Sequence, residues 1–240
     1  MSTIAKEQRG KPALKDEIGF GLLHLTPLLM IFTGATAFDW ALCVFLYFFR
    51  MFWITGGYHR YFSHKTYETS RVFQFIIAFM AQTSIQKGAL WWAANHRIHH
   101  KFSDTAQDPH SNKVYGFFYS HIGWIIGPDY KETRYDLIKD YAKFSELRWL
   151  NKNHLIPVLF MMICVFFLGG YVNGGQGFIF NDAFINGGLS AVVVGFLTST
   201  IFLFHGTFSI NSLMHMIGKP RYESDDKSKN NFFLAILTMG

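Results

Sequence analysis

The sequence predicts an all-α integral membrane protein, with four transmembrane helices in two hairpins and a cytosolic helical cap rich in histidine. Three observations predict it. Four apolar stretches each approach the ~20 residues a helix needs to cross the hydrocarbon core of a bilayer. The basic residues outside these stretches all fall on one side of the implied layout. The histidines gather near the ends of the stretches.

The stretches run over 20–37, 40–57, 155–172 and 189–208. The first two meet at Phe38-Asp39, which reads as a tight helical hairpin. The last two are joined by 173–188, a loop rich in Gly and Asn. A fifth stretch, 72–85, is apolar but short and contains Gln74 and Gln82, so it reads as an interfacial or buried helix. The cap is then 58–152 together with 209–240, and the chain 1–240 reads as one domain.

Of 22 Lys and Arg residues, only Arg50 lies within a proposed span. Four fall in 1–17, thirteen in 58–152 and four in 216–240; the 38–39 connection and the 173–188 loop have none. Under the positive-inside rule the basic side is the cytoplasm, and both termini lie there. The composition agrees: 50% hydrophobic, 18% aromatic and only 16% charged, against roughly 25% charged in soluble domains. The net charge of +6 therefore follows from topology, and no basic helix, stacking motif or zinc-finger spacing points to nucleic acid. Cys43 and Cys164 lie in apolar runs without a C-x-x-C spacing, which excludes a disulfide framework or a redox motif. The N-terminus lacks the apolar core and cleavage site of a secretory signal peptide.

Three histidine groups carry the chemistry. In His96-Arg97-Ile98-His99-His100 the histidines are three and four apart, so a helix projects them to one side. Three imidazoles on one face suit a metal better than a core, where their nitrogens would lack partners. In His59-Arg60-Tyr61-Phe62-Ser63-His64 the pair is five apart, about 140° around an α-helix, so both reach one site only if the helix ends or deforms there. In Asn211-Ser212-Leu213-Met214-His215 the outer residues are i and i+4 and share a face just past the fourth span. His205 reads as a packed, hydrogen-bonded membrane histidine, His24 and His154 as interfacial, and His110 and His121 as support for the site. Six imidazoles from three segments suit two ions better than one. Imidazole serves Fe, Zn, Cu and Ni alike, so the residues leave the metal open.

These boxes resemble the membrane fatty acid desaturases, in their Δ9 branch. The resemblance rests on the first and second boxes, on Lys101-Phe102-Ser103-Asp104 with Asp108-Pro109-His110, on Phe117-Phe118-Tyr119-Ser120-His121-Ile122-Gly123-Trp124, and on Asn211 to His215. It covers roughly residues 20–240. It implies a di-iron centre that uses O2 and two electrons to leave a cis double bond in a saturated acyl chain. By position, His59, His64, His96, His99, His100 and His215 would be iron ligands, and Asn211 would contact an iron through water. Asp104 and Asp108 would orient ligand imidazoles from behind, against the plainer reading of turn chemistry at Asp-Pro. No substrate-binding residue is singled out.

Two departures matter. The family carries a third box, Glu-Gly-Trp-His-x-x-His-His, after a segment like Asn231 to Gly240, and this chain stops at Gly240. With up to three ligands missing, the 240-residue chain is expected to bind iron poorly and not to turn over. Animal acyl-CoA enzymes also carry charged residues where this chain has Ala94-Asn95 and Pro128-Asp129, so the carrier is either acyl-CoA or acyl-lipid. Gln86-Lys87-Gly88 with Trp91-Trp92-Ala93-Ala94 is closer to the bacterial enzymes, which implies a bacterial cytoplasmic membrane. No haem motif or iron–sulfur cysteine cluster is present, so electrons come from a separate ferredoxin or cytochrome b5-like donor, and the basic cap offers it a docking face. The alternatives are a membrane di-iron hydroxylase or ketolase, distinguished by an alcohol or ketone product, and a truncated, inactive metal-binding membrane protein.

Overall fold

The structure is a computed structural model that describes residue 10, residues 13–219 and residues 229–240. Lys6, Arg9, Lys11, Arg221 and Lys227, five of the cations expected on the cytoplasmic side, lie outside the described residues.

Helix α1 (Leu14–Leu25) passes into a 3-10 turn at Thr26–Leu29 and one further helical turn at Met30–Thr33. Pro27 has no N–H to continue the α-helical ladder, and Thr26 Oγ1 donates back to the Leu23 carbonyl at 2.7 Å. The expected span 20–37 is therefore a broken arm. Among the described residues three helices are long and apolar enough to cross a membrane: Ala37–Ser63, Ile156–Gly174 and Asp182–His215.

The turn after the arm falls at Gly34–Thr36, ahead of the expected Phe38-Asp39. The reason is a capping box at the start of α2 (Ala37–Trp53). The Thr36 side chain accepts from the Asp39 amide, and the Asp39 carboxylate accepts from the Thr36 amide. Phe38 and Asp39 thus sit inside the first helical turn. Asp39 is fully buried and also accepts from Asn173 Nδ2 at 2.8 Å, which ties the two hairpins together at the end remote from the histidine boxes.

Helix α2 runs on without a break into a π-helix over Ile54–Ser63. The expected interfacial helix is α3 (Arg71–Gln82). Its Val72 and Ile76 are exposed, while Gln74 and Gln82 face inward. Gln74 Oε1 accepts from Tyr61 at 3.0 Å; Gln82 donates to the Leu150 carbonyl and accepts from the Ala89 amide. The second box lies on α4 (Ala89–Phe102). Its Leu90, Ala93 and Ala94 bury against Tyr58, Phe62 and Ile77, and α5 (Ser145–Lys152) closes this cap core with Leu147 and Leu150.

The second hairpin is α6 (Ile156–Gly174) and α7 (Asp182–Ser190), the latter continuing through a π-helical stretch, Ala191–Thr198, into α8 (Ser199–Ser212). Gly169 and Gly187 let the two backbones touch, since a Cβ on either would press on the other's carbonyl. Helix α6 leaves Leu159, Phe160 and Ile163 exposed, as a lipid-facing helix does. A last short helix, α9 (Phe232–Thr238), lies beside α8 and α2; Tyr47 and Thr55 of the α2–π helix donate to its Leu237 and Thr238 carbonyls.

Arg50, the one cation of the spans, is fully buried. All five of its N–H groups are used: Nε on Leu46 O, one terminal nitrogen on Thr83 O and Thr200 Oγ1, the other on Phe196 O and Ser199 Oγ. Its guanidinium also lies 4.6 Å from the centre of the Phe196 ring. One side chain therefore joins α2, the turn after α3, and the π-helical stretch with α8. Arg50→Met takes the donor from the Thr83 carbonyl and breaks the ties to Thr200 and Ser199 in a dry interior, at a cost on the order of 3 kcal/mol. The expected outcome is a Tm several degrees lower in neutral detergent, with Phe160→Leu on the lipid-facing side unchanged; equal Tm values would contradict this role.

Candidate metal centre

The first box presents a geometric problem that the π-helix solves. The His64 amide donates to the His59 carbonyl at 3.0 Å, an i to i+5 bond. A helix with this bonding brings residues five apart nearly over one another, so both imidazoles face the same way. Their Nε2 atoms are 3.1 Å apart. At the C-terminal end of the π-helix, Arg97 of α4 donates to the Phe62 and Ser63 carbonyls at 2.7 and 3.3 Å and pairs with Asp140 at 3.0 Å. This clamp fixes the end of the π-helix against the second box. Arg97, unremarked in the sequence reading, is thereby a positioning residue; its place between two box histidines was the available signal.

Four imidazoles converge as a result. His64 Nε2 lies 3.1 Å from His96 Nε2, and His96 Nε2 lies 2.9 Å from His100 Nε2. With His59, all four donor atoms lie within 4.8 Å of one another. Trp92 stacks on His96 with ring centres 4.8 Å apart and fixes its plane. Burial, reinforced by the neighbouring histidines, holds His96 well below its ordinary pKa, and burial followed by Arg97 lowers His64. Both are thus neutral at pH 7, with lone pairs to offer. Two nitrogens bound ~2.1 Å from one ion at right angles would be ~3.0 Å apart. The observed 2.9–3.1 Å spacings match that separation. An all-imidazole set fits a borderline transition metal.

His99 parts from its neighbours. His96 and His100, four apart, point into the first cluster, whereas His99 turns to a buried second group with Asp108 and His110. His99 Nδ1 lies 2.9 Å from Asp108 Oδ1. Asp108 also accepts from the Asp104 amide at 3.0 Å and the His110 amide at 3.1 Å, so it makes the turn as well as holding the ring. Burial would raise the Asp108 carboxyl, but His99 and His110 outweigh it and hold it below the usual range. Asp104, in the left-handed region at φ 60°, sets its Oδ1 3.4 Å from His215 Nδ1. Two carboxylates thus each stand behind one imidazole. The ring centres of His99 and His215 are 6.2 Å apart.

Asn211 lines a narrow cleft with His96 and His110, walled by Trp92, Trp124, Phe204 and Thr207. Of these, Phe204 and Thr207 were not singled out from the sequence, because the segments that line the cleft are distant in the chain. His121 joins neither cluster. Its Nδ1 meets Ser212 Oγ at 2.8 Å and its Nε2 meets His205 Nδ1 at 3.0 Å; His205 Nε2 in turn meets His24 Nε2 at 3.1 Å. His205 is indeed a packed, hydrogen-bonded histidine, and His24 belongs to its chain.

Fold and site together define a helical membrane protein with a histidine-lined pocket at the end of its spans. The family profile described as fatty acid desaturase matches residues 35–240, and the chain belongs to that family. It is 29% identical over 223 residues to an acyl-CoA 5-desaturase of Anemone leveillei, covering 92% of this chain and 64% of the relative. It is 30% identical over 248 residues to an sn-2 palmitoyl-lipid 9-desaturase of Nostoc sp. (strain 36), covering 99% and 79%. It is 30% identical over 199 residues to an sn-1 stearoyl-lipid 9-desaturase of Anabaena variabilis, covering 79% and 65%. The chain thus spans slightly less than two thirds of the Anemone and Anabaena proteins.

Burial drives His110 down to about 3, with His99 adding to the effect and Asp108 opposing it. The folded chain therefore binds fewer protons there than the unfolded chain, whose histidines titrate near ~6.5. That contribution to stability is complete above pH ~6.5 and is lost as pH falls toward 3, on the order of 2 kcal/mol between pH 7 and 5. In chelator-treated protein, Tm is expected to fall between pH 7 and 5, and less steeply in His110→Gln. Parallel curves would contradict this.

Proposed function

We propose that the chain is the catalytic membrane unit of an O2-dependent acyl desaturase of the Δ9 type, acting through two histidine-held irons. The observation that carries this reading is the convergence of four ring nitrogens, 2.9–3.1 Å apart along the cluster, beside a cleft walled by aromatic residues. His59, His64, His96 and His100 would hold one iron; His99 and His215, backed by Asp108 and Asp104, would serve the other, with Asn211 approaching through water. Bound iron supplies O2 activation. The overall reaction removes two hydrogens from adjacent carbons, takes two electrons and two protons, and yields a cis alkene and two waters.

The chain's own residues do the rest. Trp92, Trp124 and Phe204 line the cleft where the acyl chain would lie and limit the water that reaches it. Asp108 holds the His99 ring by Nδ1, which leaves Nε2 for the metal. We further propose that the broken arm of α1 crosses as the first of four spans, with the cap and boxes in the cytoplasm. A one-electron carrier protein, a ferredoxin or a cytochrome b5-like donor, would then reach the cap directly.

The test uses the full-length gene product with its membranes, a reduced ferredoxin system and a deuterated stearoyl substrate. A cis-Δ9 product in the wild type and none in His64→Ala is expected; an alcohol or ketone product, or activity retained in His64→Ala, would overturn the reading. Asp108→Asn keeps a hydrogen bond but loses the charge behind His99. It is expected to weaken iron binding about 10–100-fold, read as iron retained through a chelator wash below the variant's own Tm, which also falls because Asn cannot accept from the Asp104 and His110 amides with both side-chain atoms. Undiminished retention would remove Asp108 from this role.

A further inference from the structure

The connection between α6 and α7, residues 175–181, carries three large apolar side chains in a row. Phe178, Ile179 and Phe180 are each at least 60% exposed. A loop tip in water is normally polar, and a run of exposed apolar residues marks a surface that meets something other than water. The backbone fixes the shape of this tip. Gly175 and Gly177 both sit in the left-handed region at φ 68°, with open space around them, so the backbone angle itself requires glycine. Asn181 closes the turn. Its amide donates to the Ile179 carbonyl at 2.9 Å, its Nδ2 donates to Gln176 Oε1 at 2.7 Å, and its Oδ1 accepts from the Phe184 amide at the start of α7.

The side chains of the tip turn back along the hairpin. The Phe178 ring lies 5.0 Å from that of Tyr171, and the Phe180 ring lies 5.8 Å from Phe167 and 4.6 Å from buried Phe184. Phe167 precedes the end of α6 at Gly174 by about 10 Å, at ~1.5 Å per residue. The 19 residues of α6 measure about 28 Å by the same rise, against ~30 Å of hydrocarbon. The far end of α6 thus stands at the hydrocarbon edge, and the Phe180 ring reaches back inside it. The backbone of the tip stays at that edge, where water and headgroups can pair with its N–H and C=O groups, as lipid-exposed irregular backbone requires.

Charge and packing decide which partner this surface meets. Across residues 155–218 the sole Asp, Glu, Lys or Arg is Asp182, in the first turn of α7. The apolar tip continues onto exposed Leu168 and Tyr171, and so joins the lipid-facing side of α6. Asn186 of α7 donates to the Thr33 carbonyl at 3.3 Å, which sets the turn of the first hairpin alongside, with its exposed Ile31 and Phe32. The small residues that a second copy would need for close approach are already enclosed within the hairpin. Gly169 packs on Ala191, Gly170 on Phe184 and Gly188 on Phe166.

We propose that this connection is an interfacial membrane anchor, with Phe178, Ile179 and Phe180 set among the outer acyl chains of the leaflet remote from the histidine boxes. Lipid is the partner of this surface. Asn173 of α6 donates to Asp39 of α2 at 2.8 Å, so the anchor sets the depth of both hairpins.

The test places a nitroxide on Ile179→Cys in an otherwise cysteine-free full-length protein, in vesicles of phosphatidylcholine and phosphatidylglycerol. Power saturation gives the ratio of collisions with O2, which concentrates in lipid, to collisions with a neutral nickel chelate, which stays in water. Reference labels sit at Ile163→Cys on the lipid-facing side of α6 and at Lys139→Cys on the exposed cap. The ratio at 179 is expected to lie at least fivefold above that at 139 and to approach that at 163. A ratio at 179 less than fivefold above that at 139 leaves the tip in water and overturns the anchor. Spin–spin broadening at 179 that vanishes when unlabelled protein is mixed in before reconstitution puts a second copy on the tip, and overturns it as well. Adding Phe178→Ser and Phe180→Ser to the labelled protein is expected to lower the ratio at 179 at least threefold; an unchanged ratio overturns the part given to the two rings. These readouts need neither iron nor an acyl substrate, so they stand apart from the desaturase reading.

Discussion

The structure depends on the i to i+5 bonding at the end of its second apolar stretch. An α-helix through Ile54–Ser63 would send His59 and His64 in divergent directions, one of them into the cap core around Phe62. π-Helical turns are rare and are found mostly at functional sites, because their looser backbone is tolerated only where tertiary contacts hold it. Those contacts are present. Arg97 takes the final carbonyls, Tyr141 donates to Tyr61 O at 3.0 Å, and Tyr61 in turn is anchored on Gln74. The first box is thus shaped from α4 and the cap, and the second box is held by the same bonds that shape the first. The four-imidazole cluster is a property of the junction between membrane helix and cap.

That junction needs a scaffold that does not slide, and apolar helix packing alone gives little directional restraint in lipid. Two buried polar groups supply it. Asp39 joins the hairpins at one end through Thr36 and Asn173, and Arg50 joins α2 to the turn after α3 and to the π-helical stretch before α8. Neither has an opposite charge as partner in these contacts. Both are satisfied by neutral donors or acceptors, which in a low-dielectric interior are costly to leave unmade. The histidine chain from His24 through His205 to His121 and Ser212 plays a similar part, since it links the broken arm, α8 and the turn at Tyr119–Gly123.

Much of this was legible in the sequence. The three long spans follow from hydropathy, which needs no knowledge of partners, and the deformation of the first box followed from a spacing that an α-helix cannot reconcile. The broken arm was missed because hydropathy does not register Pro27. The hairpin turn was misplaced although Thr36-x-x-Asp39 is a readable cap. The separation of His99 from His96 and His100 was beyond the sequence. Helical spacing puts all three within one broad face, and the choice is made by Asp108, whose loop returns to α4 only through Asp104's left-handed backbone. Arg97 sits between two box histidines, but nothing local in the sequence tells that it returns to the Phe62 and Ser63 carbonyls.

X-ray absorption at the iron edge on the full-length protein, in the wild type and in His96→Ala, tests whether the four-imidazole cluster holds iron. Nitrogen or oxygen scatterers at ~2.1 Å are expected, with the outer-shell scattering of imidazole rings, weakened when His96 is removed. A spectrum without imidazole scattering, or one that His96→Ala leaves unchanged, would contradict this.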